Sequence, residues 1–254
     1  MPKSPNGDRR LIVDCDTFQP RHICRIYDER VHIAIRAVIF DYGMVLSNPA
    51  VPAAHERLVA ASGLSREVLD QHYWANRHSY DLGMTGREFW AKVAADAGTT
   101  FNPAQVFNLI ESDVLMWTSV NEEMLAWVTA LQNAGFRTAI ISNMVWEILE
   151  RMSQRFGWLD RFDHLTWSCA LGIAKPDPAI YRLTYEALEV SPAEALFLDD
   201  KPENIATAQA LGMQTIQFST VERLKEELES LGLTDLLEPQ LKAVHAPATE
   251  ASAV

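Results

Sequence analysis

The chain has 254 residues, 48% of them hydrophobic, and a formal net charge of -12 at pH 7. A chain of this size buries one good core, or a core with a small accessory domain. So acidic a molecule repels phosphate backbones, which argues against a nucleic-acid partner and requires any bound phosphate to be small and locally held.

Residues 1–32 mix charges, prolines and short apolar runs without a period, and are expected to form an irregular extension. Met1 to Arg10 lacks the apolar stretch of a secretory signal, and no segment approaches the ~18 apolar residues of a membrane span. The three cysteines, Cys15, Cys24 and Cys169, have no C-x-x-C spacing and read as reduced thiols. A soluble cytoplasmic protein with no membrane partner is the simplest expectation. Within the extension, Asp14-x-Asp16-Thr17 follows three apolar residues and imitates a D-x-D site. Its apolar run is short and preceded by Asp8, Arg9 and Arg10, so it reads as a surface strand or a disordered extension.

The β-branched run Ile33 to Phe40 ends at Asp41, the pattern of a short buried parallel strand. From Pro52 to Trp117 only helical patterns follow: Ala53–Ser62, Arg66–Tyr80, Arg87–Ala97 and Pro103–Trp117. They read as a helical cap, residues 52–117, inserted after the first strand. Strands and helices then alternate. The helix Asn121–Ala134 closes on Gly135, a good residue just past a helix end, and the strand Phe136 to Ile141 ends at Ser142 and Asn143. A helix over Val145–Phe156 precedes the weaker strand His164 to Ser168. Pro178–Leu188 starts on a proline suited to the first helical position. The strand Ala195 to Leu198 ends at Asp199 and Asp200, and is followed by a helix Glu203–Leu211, a strand Met213 to Phe218 and a helix Val221–Leu231. This alternation predicts a parallel sheet with helices on both faces, formed by residues 33–51 and 118–236. The tail, 237–254, is Ala/Pro/Thr/Ser-rich towards its end and is expected to be disordered.

In a parallel sheet the strand ends carrying Asp41, Ser142–Asn143 and Asp199–Asp200 lie along one edge, where open α/β sheets bind ligands. Lys175 leads into a helix between the last two. Clustered carboxylates of this kind need a cation. Mg2+, with its preference for oxygen ligands, supplies it and screens an anionic substrate from a carboxylate nucleophile. Lys175 would neutralise the nucleophile and a phosphoryl group, and Ser142 would bind phosphoryl oxygens. The blander readings are that Ser142 and Asn143 cap the next helix and that Asp199–Asp200 is an acidic pair at a helix start.

The segments AVIFDYGMVLS, AIISN, GIAKPDPAIY and LFLDDKPENIATAQALGM, in that order, resemble the four motifs of the haloacid dehalogenase-like hydrolase superfamily. The resemblance implies a Rossmann-like α/β core with a helical cap and Asp41 as covalent nucleophile. It also implies Mg2+ held by Asp41, the Gly43 carbonyl and Asp200, with Asp199 acting through a water. Ser142 and Asn143 would bind the phosphoryl group, Lys175 would orient it, and Asn204 would support the metal loop. DYGMVL, KPDP and DDKPEN are similar to the branch of sugar-phosphate phosphatases and the N-terminal phosphatase domain of soluble epoxide hydrolase, so the expected substrate is a small phosphate ester. One departure stands out. Phosphatases of the family commonly carry a proton-transferring aspartate two residues after the nucleophile, and Gly43 stands there. A substitute acid is sought in the cap among His72, His78 and Asp81. The competing expectations are a metal-independent 2-haloacid dehalogenase using Asp41 and a catalytically weak regulatory protein. A monomer and a homodimer are both compatible with the sequence.

Overall fold

The computed structural model describes residues 34–237 and 239. The D-x-D imitation at Asp14 and Asp16, the extension 1–32, Cys15, Cys24 and nearly all of the tail lie outside the described residues. Five strands, β1 (Ala37–Phe40), β2 (Arg137–Ser142), β3 (His164–Trp167), β4 (Ala195–Asp199) and β5 (Gln214–Gln217), form one sheet in the order β3-β2-β1-β4-β5. Every pairing is parallel. β1 is shorter than the apolar run predicts because its two neighbours enter the ladder only at Arg137 and Ala195, both opposite Ala37.

β1 is buried on both faces. Val38 and Phe40 point into one apolar cluster with Ile140, Leu196 and Leu198. Ala37 and Ile39 point into the other with Ile141, Phe197, Ile180 and Tyr181. Period-two alternation thus serves two cores at once, and the strand reads as continuously apolar for that reason.

Four helices intervene between β1 and β2: α1 (Pro52–Ser62), α2 (Arg66–Asp81), α3 (Gly86–Asp96) and α4 (Pro103–Trp117). Their starts are written locally. Ser65 caps α2, Thr85 and Glu88 form a capping box on α3, and Asn102 and Gln105 form one on α4, where Pro103 takes the first helical position. Inward they bury Tyr73, Tyr80, Phe89, Trp90 and Leu109, in the same apolar cluster as Val38 and Phe40. At about 1.5–3 kcal/mol for each large side chain, this packing outweighs the modest helix propensity of the aromatic positions. The chain enters and leaves the insert through one short antiparallel bridge, Ser47 opposite Val120. Asn48 pins that bridge by donating from Nδ2 to Ser119 Oγ (2.9 Å) and the Val120 carbonyl (2.8 Å).

The remaining helices are α5 (Glu122–Asn133), α6 (Trp146–Arg155), the short α7 (Ser168–Leu171), α8 (Pro178–Ala187), α9 (Pro202–Ala210) and α10 (Val221–Ser230). Gly135 follows α5 at φ 84°, the left-handed conformation that suits glycine there. None of the described helices is long and apolar enough to cross a membrane.

Candidate active site

The sequence turns sharply after β1. Asp41 is extended (φ -68°, ψ 156°), and Oδ1 accepts the Tyr42 N–H at 2.7 Å. The chain then makes one loose turn, Tyr42–Leu46, closed by the Ser47 N–H on the Tyr42 carbonyl. Within the turn Met44 is left-handed (φ 62°), a conformation costing a non-glycine residue about 1–2 kcal/mol. Its N–H is held by Ser47 Oγ at 3.1 Å. Gly43, by contrast, has φ -62° and ψ 131°, which any residue adopts. A Cβ added there would meet nothing within 4 Å.

Lys175 comes from the loop before α8, and its side chain is 1% exposed. Its Nζ bonds Asp41 Oδ1 at 2.8 Å and Asp199 Oδ2 at 2.6 Å. Asn143 fixes that loop with both ends of its amide. Oδ1 accepts the Lys175 N–H at 2.8 Å, and Nδ2 donates to the Lys175 carbonyl at 3.0 Å. Its side chain therefore holds the lysine loop, and the residue also lines the cavity described below. Nor do Ser142 and Asn143 cap α6, whose cap position is Val145 with no side-chain bond. Ser142 is buried and lines the cavity. Its hydroxyl has no protein partner among the described residues.

Asp199 and Asp200 behave differently although adjacent. Asp199 is completely buried, and both its oxygens are engaged. Oδ1 accepts the Lys201 N–H (2.9 Å) and Asn204 Nδ2 (2.9 Å), while Oδ2 accepts Lys175 Nζ (2.6 Å) and Asn204 Nδ2 (3.0 Å). Asp200 is half-buried, and among the described residues its carboxylate bonds no other residue. Ligand oxygens of Asp41, Asp199 and Asp200 lie within 4.8 Å of one another, an all-oxygen donor set suited to a hard divalent cation. Since Asp199 has spent its lone pairs, Asp41 and Asp200 are the carboxylates able to take a cation directly.

The electrostatics point the same way. Burial, with Asp199 and Asp200 nearby, pushes the Asp41 carboxyl up to about 7 against the opposing pull of Lys175. Burial and Asp199 also raise Asp200. Lys175 is raised despite its burial, because Asp41 and Asp199 favour its charged form. Three carboxylates face one fully buried ammonium, so a second cation would hold Asp41 ionised in the same sense as Lys175 does.

Asp41, Ser142, Lys175 and Asp200 line a cavity of about 310 Å³, whose other wall comes from the inserted helices through Trp74, Arg77, Asp81 and Trp117. Of the substitute acids sought there, Asp81 lines the cavity but is ion-paired to Arg77 Nε at 2.7 Å. His72 and His78 are not part of the lining. Tyr73, Tyr80, Phe89 and Trp90 are buried core residues, while Trp74 is 55% exposed at the cavity wall. Arg77, Trp117 and Tyr42, whose hydroxyl donates to the Trp117 carbonyl at 2.7 Å, are lining residues that sequence patterns did not single out.

Comparison with known proteins agrees with this arrangement. A family model described as haloacid dehalogenase-like hydrolase matches residues 35–212. Bifunctional epoxide hydrolase 2 of Sus scrofa is 28% identical over 81% of this chain, and the chain spans 40% of that protein's length. (S)-2-haloacid dehalogenase 1 of Pseudomonas sp. is 28% identical over 76% of this chain and 88% of its own length. Among solved structures, a HAD family enzyme of Bacteroides thetaiotaomicron in complex with magnesium and inorganic phosphate has a TM-score of 0.60 at 20% identity, covering 75% of this chain and 99% of that one. The sheet order, the four motif segments along its carboxyl edge and the family match together make the chain a haloacid dehalogenase-like hydrolase.

Proposed function

We propose that the chain is a Mg2+-dependent phosphatase of small phosphate monoesters that works through an aspartyl phosphate on Asp41. The observation that carries this reading is the division of labour at the acidic edge. Lys175 bridges Asp41 and Asp199, and the Asp200 carboxylate stands beside them without a partner among the described residues. A site built only to displace halide has no use for that unpaired carboxylate.

Asp41 attacks phosphorus, an Asp41 oxygen–phosphorus bond forms, and the ester oxygen leaves with its electron pair and takes a proton from solvent water. Water then attacks the same phosphorus, the Asp41 carboxylate departs, and inorganic phosphate is released. Mg2+, when bound, neutralises the phosphoryl oxygens next to the carboxylates. Asp41, Asp200 and the Gly43 carbonyl would hold it. Asp199 and Asn204 keep Lys175 in place, Lys175 keeps Asp41 charged, and the Ser142 hydroxyl donates to a phosphoryl oxygen. The insert α1–α4 acts as the cap that covers the substrate.

A second reading, 2-haloacid dehalogenation on Asp41 without metal, is favoured by Gly43, since halide leaves without a proton. Phosphate release from a panel of esters, with Mg2+ and with chelator, set against chloride release from 2-chloropropionate, separates the two. Metal-dependent phosphate release that disappears in Asp41→Asn is the expected result. Chloride release insensitive to chelator, or full activity of Asp41→Asn, refutes it.

A further inference from the structure

The cap side of the cavity carries an arginine held more tightly than packing alone requires. Arg77 Nε donates to Asp81 Oδ1 at 2.7 Å, and Nη1 donates to the Tyr73 hydroxyl at 2.6 Å. Tyr73 in turn donates to buried Asp113 at 2.7 Å. The guanidinium carbon lies 5.6 Å from the Trp117 ring centroid, 5.8 Å from that of Tyr73 and 5.9 Å from that of Tyr80. Two anchors and three rings leave the group little freedom, so a ligand reaching it meets a donor already oriented.

What the protein does not use is informative. A guanidinium has five N–H donors. Nε spends one and Nη1 one of its two, while Nη2 has no protein acceptor among the described residues. Nη2 is not among the buried orphaned polar atoms, the side chain is 13% exposed, and Arg77 lines the cavity. The unspent edge therefore pairs one Nη1 hydrogen with the Nη2 hydrogens and opens on the cavity. An arginine serving only to tie helices together would leave those donors unpaired at a cost.

We propose that Arg77 is the specificity residue of this site and takes a carboxylate on the leaving group, so that the substrate class is short phosphate monoesters of hydroxy acids. This rests on the phosphatase reading above. The fork geometry matches a planar carboxylate through two parallel hydrogen bonds. Asp81 already offsets much of the Arg77 charge, which suits a monoanion better than a second phosphate. The cavity of about 310 Å³ holds a phosphoryl group with a small leaving group beside it. Trp74 and Trp117 then wall its apolar part.

The test is a matched pair of probes, 2-phosphoglycolate and ethyl phosphate, which differ in having a carboxylate or a methyl at the same position. Binding is measured by calorimetry with Mg2+ in the Asp41→Asn background, and kcat/KM in the active protein. Three forms are compared at position 77: the native residue, Arg77→Lys, and Arg77→Met with Asp81→Asn, the last removing the carboxylate bonded to Nε along with the arginine while Asp113 keeps its bond from Tyr73. The native form is expected to prefer 2-phosphoglycolate by on the order of 10–100-fold. That preference shrinks in Arg77→Lys, which keeps charge but loses the fork, and vanishes in the double variant. Equal or undetectable binding of the two probes to the native cap, or an unchanged preference in the double variant, overturns the proposal. Phosphate release from simple esters without carboxylate preference sinks the arginine assignment alone. Calorimetric preference without release from any ester sinks the phosphatase reading alone.

Discussion

Lys175→Met removes the one buried ammonium at the acidic edge while keeping the side chain's length and apolar stem. In the native fold its Nζ bonds Asp41 and Asp199, the lysine side chain is 1% exposed, and those of Asp41 and Asp199 are 10% and 0% exposed. Breaking a buried pair from one side leaves an uncompensated buried charge and costs about 3–5 kcal/mol, a large share of a typical 5–15 kcal/mol total. With an m-value of about 2–3 kcal/mol/M in urea, the unfolding midpoint should fall by roughly 1–2 M. The control is Lys175→Met with Asp199→Asn, which deletes one of the two stranded charges, the more deeply buried one, along with its partner. Replacing both members of a pair is far cheaper than orphaning one, so the double variant recovers at least half of the loss. Mg2+ should also recover part of the single variant's loss, because it supplies a cation to the same carboxylates. Urea unfolding followed by tryptophan fluorescence, with and without Mg2+, decides the matter. A single variant within about 1 kcal/mol of the native protein, or a double variant less stable than the single, would refute the claim that Lys175 acts here as counter-charge.

Gly43→Asp should be accepted without strain, since the backbone there is ordinary and the space is open. It should raise kcat/KM for alkyl phosphates by up to ~10²-fold and aryl phosphates much less; an unchanged dependence on leaving-group pKa would show that no proton transfer was missing. Asn143→Ala deletes both bonds to the Lys175 main chain and should cost about 1–3 kcal/mol. Its kinetic effect should fall mainly on kcat, as the lysine loop loosens, and an effect confined to KM would mean that Asn143 contacts substrate instead. Asp113 concerns stability and pH. Burial pushes its carboxyl up to about 6, above its value of 3.8 when unfolded. The folded state therefore holds its proton more tightly, and the contribution to stability is complete below pH 4 and lost as pH rises through 6. Asp113→Asn should flatten the fall in stability between pH 4 and 7 seen in urea titrations; parallel curves for the two proteins would contradict the assignment.

The strands and the acidic edge were legible because each short apolar run stops on a polar residue, and a parallel sheet brings such stops to one side. Boundaries were less so. β1 begins where Arg137 and Ala195 arrive beside Ala37, which depends on residues about 100 and 158 positions away. The role of Asn143 was hidden for a related reason, since its partners are main-chain atoms 32 residues on and leave no mark in composition. Asp199 and Asp200 look equivalent in sequence, and only Asn204, Lys201 and Lys175 saturating the first set them apart. Arg77 and Asp81 form an i,i+4 pair of a kind that is usually a solvated helix face. Packing against Trp117 brings this pair to the cavity instead.

The bridge between Ser47 and Val120, pinned by Asn48, has a meaning beyond local order. It holds the two ends of the insert together whatever lies between them. Closing a loop costs only about 0.6 kcal/mol more for each doubling of its length. Helices grafted between those ends would thus weigh little on the sheet, while Asp41, Lys175 and Asp200 stay outside the graft. Under the proposed function, chemistry and selectivity become separately heritable traits on one chain, the first resident in the sheet edge and the second exchangeable as a cassette of about 70 residues at a single junction.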